Sequence, residues 1–168
     1  MDQLRANPKT YVTGRVREGT ILYTNVAIRL KGGPGSFRAL DDLFAINRER
    51  AGEVAYCVRV QLLEIYNEAI RDLLVPEAEA RAQRPLALVA TARSGANVPD
   101  ATQLEVGCTE DVLAVMERGA RNRAVAETRM NERSSRSHQV LTVIVEGASK
   151  LSRARTHGCL HLVDLAGS

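Results

Sequence analysis

The chain has 168 residues and a mass of 18.4 kDa, the size of one domain. Its 45% hydrophobic and 26% charged residues exclude a disordered or low-complexity chain, and a formal net charge of +3 is too small to argue for a nucleic-acid partner. No run approaches the roughly 18 apolar residues of a membrane span, and Met1 to Lys9 lacks the apolar core of a signal peptide. With only 4% aromatic residues and no Trp, the core is expected to be aliphatic.

Residues 1–35 are broken by Gly14, Gly19, Gly32, Gly33 and Gly35 with Pro34; the short run Ile21-Leu22-Tyr23 is a candidate strand. From Phe37 the pattern sharpens. Phe37, Leu40, Leu43 and Phe44 recur at helical spacing, with Ser36 as N-cap and Gly52 as stop. Val54 to Tyr66 alternates, with Val54, Tyr56, Val58, Val60 and Leu62 on one face, which predicts a long strand with one buried side. Asn67 to Leu74 reads as a short helix capped by Asn67 and closed by Pro76. A polar stretch follows over 76–85, then short strands at Leu86–Ala90 and Gln103–Val106.

Thr109 is the expected cap of a helix whose apolar face is Val112, Leu113, Val115 and Met116, ending at Arg118 and Gly119, with more helix over Ala120–Met130. Val140–Val145 and Leu160–Leu165 are buried strands around a basic turn region, Gly147 to Thr156. Strands alternating with helices predict an α/β sandwich around a mixed sheet.

Cys57, Cys108 and Cys159 are too scattered for a metal motif and read as reduced thiols. His157 and His161 are four apart, but they lie in or beside a strand-like run, which argues against a zinc pair.

The loop between the last two strands is too short for a crossover helix, so they should pair as an antiparallel hairpin. The start of the first and the end of the second then meet at one sheet edge. That brings Asn131-Glu132-Arg133-Ser134-Ser135-Arg136-Ser137-His138 beside Asp164-Leu165-Ala166-Gly167. Hydroxyls and a strand-end carboxylate suit Mg²⁺, which takes oxygen ligands and keeps several waters. A glycine amide can approach a phosphate closely because no side chain intervenes.

These two segments resemble the nucleotide-sensing switches of the kinesin motor family: N-x-x-S-S-R-S-H over Asn131–His138, and the strand and second switch L-V-D-L-A-G-S over Leu162–Ser168. Leu63-Glu64-Ile65-Tyr66-Asn67-Glu68-Ala69-Ile70-Arg71-Asp72-Leu73-Leu74 is similar to the family's E-I-Y-N-E-x-I-R-D-L-L segment. The resemblance covers 36–168 well and 1–35 poorly. Phe37–Phe44, Asn97-Val98-Pro99-Asp100 and Asn122-Arg123-Ala124-Val125 look most like the minus-end-directed subfamily whose motor is C-terminal. The expected fold is therefore α/β: a partial kinesin-type motor domain, related to P-loop NTPases, with a mixed central sheet flanked by helices.

The resemblance implies ATP and Mg²⁺ as cofactors and microtubules (tubulin) as partner, in the cytoplasm on the cytoskeleton. It implies a homodimer formed through a coiled coil outside this chain, and neither nucleic acid nor membrane as partner. It implies that Ser135 coordinates Mg²⁺, that Ser134 and Asn131 shape the nucleotide pocket, that Asp164 holds a metal-bound water, and that Gly167 senses the γ-phosphate. Arg136 would pair with the glutamate that follows the final serine in the family and help organise the attacking water. The Glu64–Leu74 segment is expected only to pack sheet against helix.

The first ten residues depart from the family. Lys9-Thr10-Tyr11-Val12-Thr13-Gly14 resembles the end of its phosphate loop, which would put Lys9 on the phosphates and Thr10 on Mg²⁺. Pro8, however, stands where the family has glycine and supplies no amide donor, and Arg5-Ala6-Asn7 brings none of the preceding glycines. The apolar end at Gly167-Ser168, one residue before the switch glutamate, predicts a chain that stops mid-fold, about half of a motor domain. The expected function is that of a piece of a microtubule-stimulated ATPase. The alternatives are a non-enzymatic tubulin-binding or dimerising relic, and a small GTPase-like switch, against which the length of the motifs argues.

Overall fold

A computed structural model describes residues 11–15, 23–29, 35–80, 84–91, 95–127 and 136–166. In chain order the elements are β1 (Tyr11–Arg15), β2 (Tyr23–Arg29), α1 (Gly35–Glu49), β3 (Val54–Tyr66), β4 (Ala69–Asp72), α2 (Glu77–Ala80), β5 (Val89–Thr91) and β6 (Gly95–Asn97). Then follow β7 (Leu104–Glu105), α3 (Thr109–Glu127), β8 (His138–Ser149) and β9 (Arg155–Asp164). The main sheet runs β1-β2-β9-β8-β3-β4, with β7 also on β3; β5 and β6 form a separate hairpin. The β2–β9 pair is parallel and the other pairs of the main sheet are antiparallel, so the sheet is mixed, as expected.

The strand and its alternation are as predicted, but both faces are buried from Val60 to Glu64, where one buried face was expected. Val58, Val60 and Leu62 turn to one face, where Val143 and Leu141 of β8 and Leu160 and Leu162 of β9 join them. Leu40 and Phe44 of α1 and Val112 and Val115 of α3 cover this face and complete the main core. Phe44 is the one aromatic among its buried residues; the rest is Leu and Val. A smaller cluster of Leu63, Val98 and Ala101 lies on the opposite face of β3. There the buried Gln61 amide donates to the Val98 carbonyl at 2.9 Å.

Several expectations are corrected. Asn67–Leu74 is not a helix. Asn67 and Glu68 have φ of 48° and 62°, both left-handed, and Tyr66 pairs with Ala69 in a two-residue hairpin. A turn with both central residues at positive φ matches the twist of the flanking strands. Packing against β3 outweighs the helical propensity of Ala, Arg and Leu here. Asp72 ends the strand: its carboxylate accepts the Leu74 N–H at 2.8 Å and the Thr102 N–H at 2.6 Å.

Nor does the second long helix stop at Gly119; α3 runs unbroken to Glu127. A Cβ on Gly119 would drive into Leu62 Cδ2 and lie 3.4 Å from Leu73 Cβ, so the glycine lets the helix lie close on the sheet. Thr109 is the first helical residue rather than the cap, and its hydroxyl donates across to Asp41 at 2.6 Å. Asp111, in the first turn, reaches back to accept the Gly107 N–H at 2.8 Å and ties the preceding loop to the helix start.

The strand expected at Leu86–Ala90 is displaced to Val89–Thr91, and that at Gln103–Val106 shortens to Leu104–Glu105. Of the run Ile21-Leu22-Tyr23, only Tyr23 lies within the described residues, as the first residue of β2.

Two outcomes test this packing. Gly119→Ala should destabilise the chain, because overpacking costs about 1–3 kcal/mol against the roughly 1 kcal/mol that Ala gains over Gly in a helix. Urea unfolding reads this, and an unchanged or raised midpoint would contradict it. The second concerns the Asp111–Gly107 hydrogen bond. The Gly107 amide and then the Cys108 side chain hold the Asp111 carboxyl below its ordinary range. Its contribution is therefore present above the unfolded pKa and lost as pH falls through the folded one. Asp111→Asn should flatten the acid limb of the stability profile below about pH 4. Parallel profiles for the two proteins would count against a stabilising role for that bond.

Candidate functional site

The hairpin of β8 and β9 sets the site. Gln139, the second residue of β8, lies opposite Asp164, the last residue of β9. On the other side of β8, Gln139 lies opposite Glu64 of β3. Glu64, Gln139 and Asp164 thus form one rung across three strands, on the face that carries the core. At about 4.8 Å per strand, Glu64 and Asp164 are roughly 10 Å apart. The edge predicted from the two motifs exists, and side chains tie it together: the Ala166 N–H donates to His138 Nδ1 at 2.9 Å. A residue of the first motif thereby holds the backbone of the second, one position before Gly167.

Of the expected site residues, Arg136 and Asp164 lie within the described chain. Arg136 is exposed, in the turn that leads into β8, and Asp164 is half-buried at the end of β9. Asn131, Ser134, Ser135, Gly167, Lys9 and Thr10 lie outside the described residues. The residues directly after Thr10 form strand β1 rather than a helix. A phosphate loop of the G-x-x-x-x-G-K-[ST] type leads into a helix, whose N-terminus helps hold the phosphates.

The site also holds a buried charge network. Glu64 is 1% exposed. Its Oε1 accepts the Ser137 hydroxyl at 2.8 Å and lies 3.2 Å from Arg123 Nε of α3. Its Oε2 lies 3.6 Å from Arg71 Nη1 of β4. Arg123 Nη2 donates to Ser137 Oγ at 2.8 Å, and Asn122 Nδ2 donates to the Leu73 carbonyl at 2.7 Å. A buried carboxylate needs such partners, since an isolated ion in the interior would cost many kcal/mol. Packing is thus only part of what the Glu64–Leu74 segment does.

One signal was available for this network. Continuing the alternation Val58, Val60, Leu62 places an acid, Glu64, on the core face. The helical reading of 67–74 concealed its partner, because only the hairpin register puts Arg71 opposite Glu64.

Other polar groups lie elsewhere. His157 and His161 are on β9, four residues and so about 13 Å apart along the strand. His161 Nδ1 is 3.0 Å from Thr142 Oγ1, and burial lowers its pKa. Among the described residues no group of three or more His, Cys, Asp or Glu side chains could hold a metal ion. A cavity of about 360 Å³ lined by Phe44, Arg48, Tyr56, Glu105 and Lys150 lies at the far end of β3, some 30 Å from the rung.

Comparison with known proteins places this edge in a family. The profile of the kinesin motor domain matches residues 32–168. The kinesin-like protein KIN-14F of Arabidopsis thaliana is 50% identical over 133 residues, 79% of this chain and 12% of that protein. KIN-14C of Oryza sativa subsp. japonica is 48% identical over 145 residues, 81% of this chain and 15% of its own length. A solved structure described as that of a fast kinesin, with implications for ATPase mechanism and interactions with microtubules, aligns with a TM-score of 0.66 at 35% identity. It covers 78% of this chain and 36% of the solved one. The minus-end subfamily resemblance read from Phe37–Phe44 and Asn122–Val125 agrees with these KIN-14 relatives. By this profile match and the shared fold, the chain belongs to the kinesin motor domain family.

Proposed function

We propose that the chain is the nucleotide-sensing part of an ATP-dependent microtubule motor. The observation that carries the reading is the β8–β9 register, closed by the His138–Ala166 hydrogen bond, which brings the described ends of both motifs, Arg136–His138 and Asp164–Ala166, to one sheet edge. The chain spans 12–15% of the length of these curated relatives, so motor activity and partners are read for the longer protein of which such a domain forms part.

The residues fit a magnesium nucleotide. Asp164 stands at the strand end with a carboxylate, and the serines that precede β8 supply hydroxyls; both are the hard oxygen donors Mg²⁺ takes. In this reading Ser135 and Asp164 serve the metal, directly and through water. Asn131 and Ser134 shape the nucleotide pocket, and Gly167 offers its amide to the terminal phosphate. When bound, Mg·ATP supplies the phosphoryl group to be transferred, with charge spread over its oxygens. The protein's share is positioning and electrostatics. Arg136 pairs with the glutamate that follows the final serine in the family and so closes the site around the nucleotide and helps organise the attacking water, and His138 fixes the Ala166 backbone so that the next amide is set in place. Microtubule association and a cytoskeletal location follow from the same reading, with the segment over 86–106 as the track-facing surface.

A second reading is a non-enzymatic relic that binds tubulin or dimerises. Pro8 before Lys9, and a strand rather than a helix after Thr10, favour it, because both weaken the phosphate cradle that Lys9 and Thr10 would serve.

Binding of a fluorescent ATP analogue with and without Mg²⁺ tests the reading. Mg²⁺-dependent binding by the full chain is expected. Its absence, together with co-sedimentation on microtubules, would replace the first reading by the second. The 168-residue chain alone should show no microtubule-stimulated ATPase, since Arg5–Pro8 offers a poor phosphate cradle. Turnover that rises on adding microtubules would contradict this. In the intact motor, Arg136→Ala should lower kcat by about 100-fold, as loss of one preorganised charge partner does, with little change in ATP affinity. Weakened binding at unchanged turnover would remove Arg136 from that role.

A further inference from the structure

We propose that Glu64, acting through Ser137, is a positioning residue for the two switch residues Arg136 and His138. Ser137 is the residue between them. It is 3% exposed, and its hydroxyl is used twice, donating to Glu64 Oε1 and accepting from Arg123 Nη2, each at 2.8 Å. Glu64 itself cannot shift without exposing a charge. It is 1% exposed, flanked by Arg71 and Arg123, and set in the middle of a sheet by its pairing with both Gln139 and Arg71. The carboxylate therefore gives the chain a fixed point at the end of the first motif, where it enters β8.

Two consequences follow from chain geometry. Side chains adjacent in a strand point to opposite faces. With Ser137 held toward Glu64 on the core face, His138 points to the other face, where its Nδ1 meets the Ala166 N–H. Released from Glu64, Ser137 could rotate, and the His138 ring would lose its aim at Ala166. The network also reaches two elements outside the nucleotide edge. Arg71 comes from the β3–β4 hairpin and donates to the Asn122 carbonyl at 3.3 Å, and Arg123 comes from α3. A displacement of α3 would thus be felt at Ser137 through Arg123 as well as at the sheet through Leu62. The proposal rests on the motor reading for what Arg136 and His138 do, but the anchoring itself is independent of that reading.

The Ala166 amide is the reporter, because its protection depends on His138. Amide hydrogen exchange is measured by NMR on the full chain for Ser137→Ala, Ser137→Thr, Glu64→Gln and, as the positive control, His138→Ala. Ser137→Ala and Glu64→Gln should speed exchange at Ala166 by about tenfold, the equivalent of one lost hydrogen bond. The amides of Leu141 and Val143 should be unchanged, and Ser137→Thr, which keeps the hydroxyl, should restore Ala166. Faster exchange throughout β8 would show a general packing defect and overturn the proposal, as would an unchanged Ala166 in Ser137→Ala. If Glu64→Gln fails to fold, the Ser137 pair still decides. Failure of the motor reading has a different signature: no Mg²⁺-dependent binding of the ATP analogue by the unmutated chain.

Discussion

The register of β8 against its two neighbours is the constraint on which the molecule depends. Twelve residue pairs join it to β3, from Val54↔Ser149 to Ile65↔His138, and ten join it to β9. A slip of one residue would turn Val143 and Leu141 out of the core and bring Glu146, Ile144 and Thr142 in, so the aliphatic face fixes the pairing. The same register decides what stands at the sheet edge. It sets Gln139 between Glu64 and Asp164 and leaves His138 facing the Ala166 amide. Core packing and site geometry are thus two results of one ladder.

The polar half of the site follows a different logic from the core. A buried glutamate between two arginines gives little net stability, because desolvation offsets most of the attraction. What such a network does is fix direction. Ser137, Arg71 and Arg123 can satisfy Glu64 together only if β4, α3 and the start of β8 are all in place. Gly119 contributes by letting α3 lie close enough to Leu62 for Arg123 to reach the rung two strands in from Asp164. An aliphatic rung at this position would pack as well and would leave the switch residues without a fixed reference.

Much of this was legible in the amino-acid order, and the exceptions have identifiable causes. Val54–Tyr66 is readable because its apolar residues alternate from Val54 to Leu62, and the β8–β9 hairpin because two apolar runs are separated by too few residues to cross over. The edge at His138 and Asp164 follows from that hairpin alone. The β3–β4 hairpin is concealed because its turn uses Asn67 and Glu68, without the glycine that marks such turns, and because Ala69–Leu74 has helical propensity. The course of α3 through Gly119 is concealed because a glycine at that spacing reads as a stop, whereas its role is contact with Leu62. Strand β2 pairs in parallel with β9, more than a hundred residues away, and no local pattern announces such a partner. The Glu64 network joins residues 64, 71, 123 and 137, so it exists only once the sheet and helix are assembled.

The claim that matters most is that the edge between β8 and β9 senses a nucleotide. Amide exchange of the full chain with and without saturating Mg·ATP tests it most directly. Protection should rise together at Arg136–His138 and at Asp164–Ala166, with Leu141–Val145 unchanged. No change at either segment at saturation, or protection confined to the far end of β3 around Phe44 and Tyr56, would contradict the account.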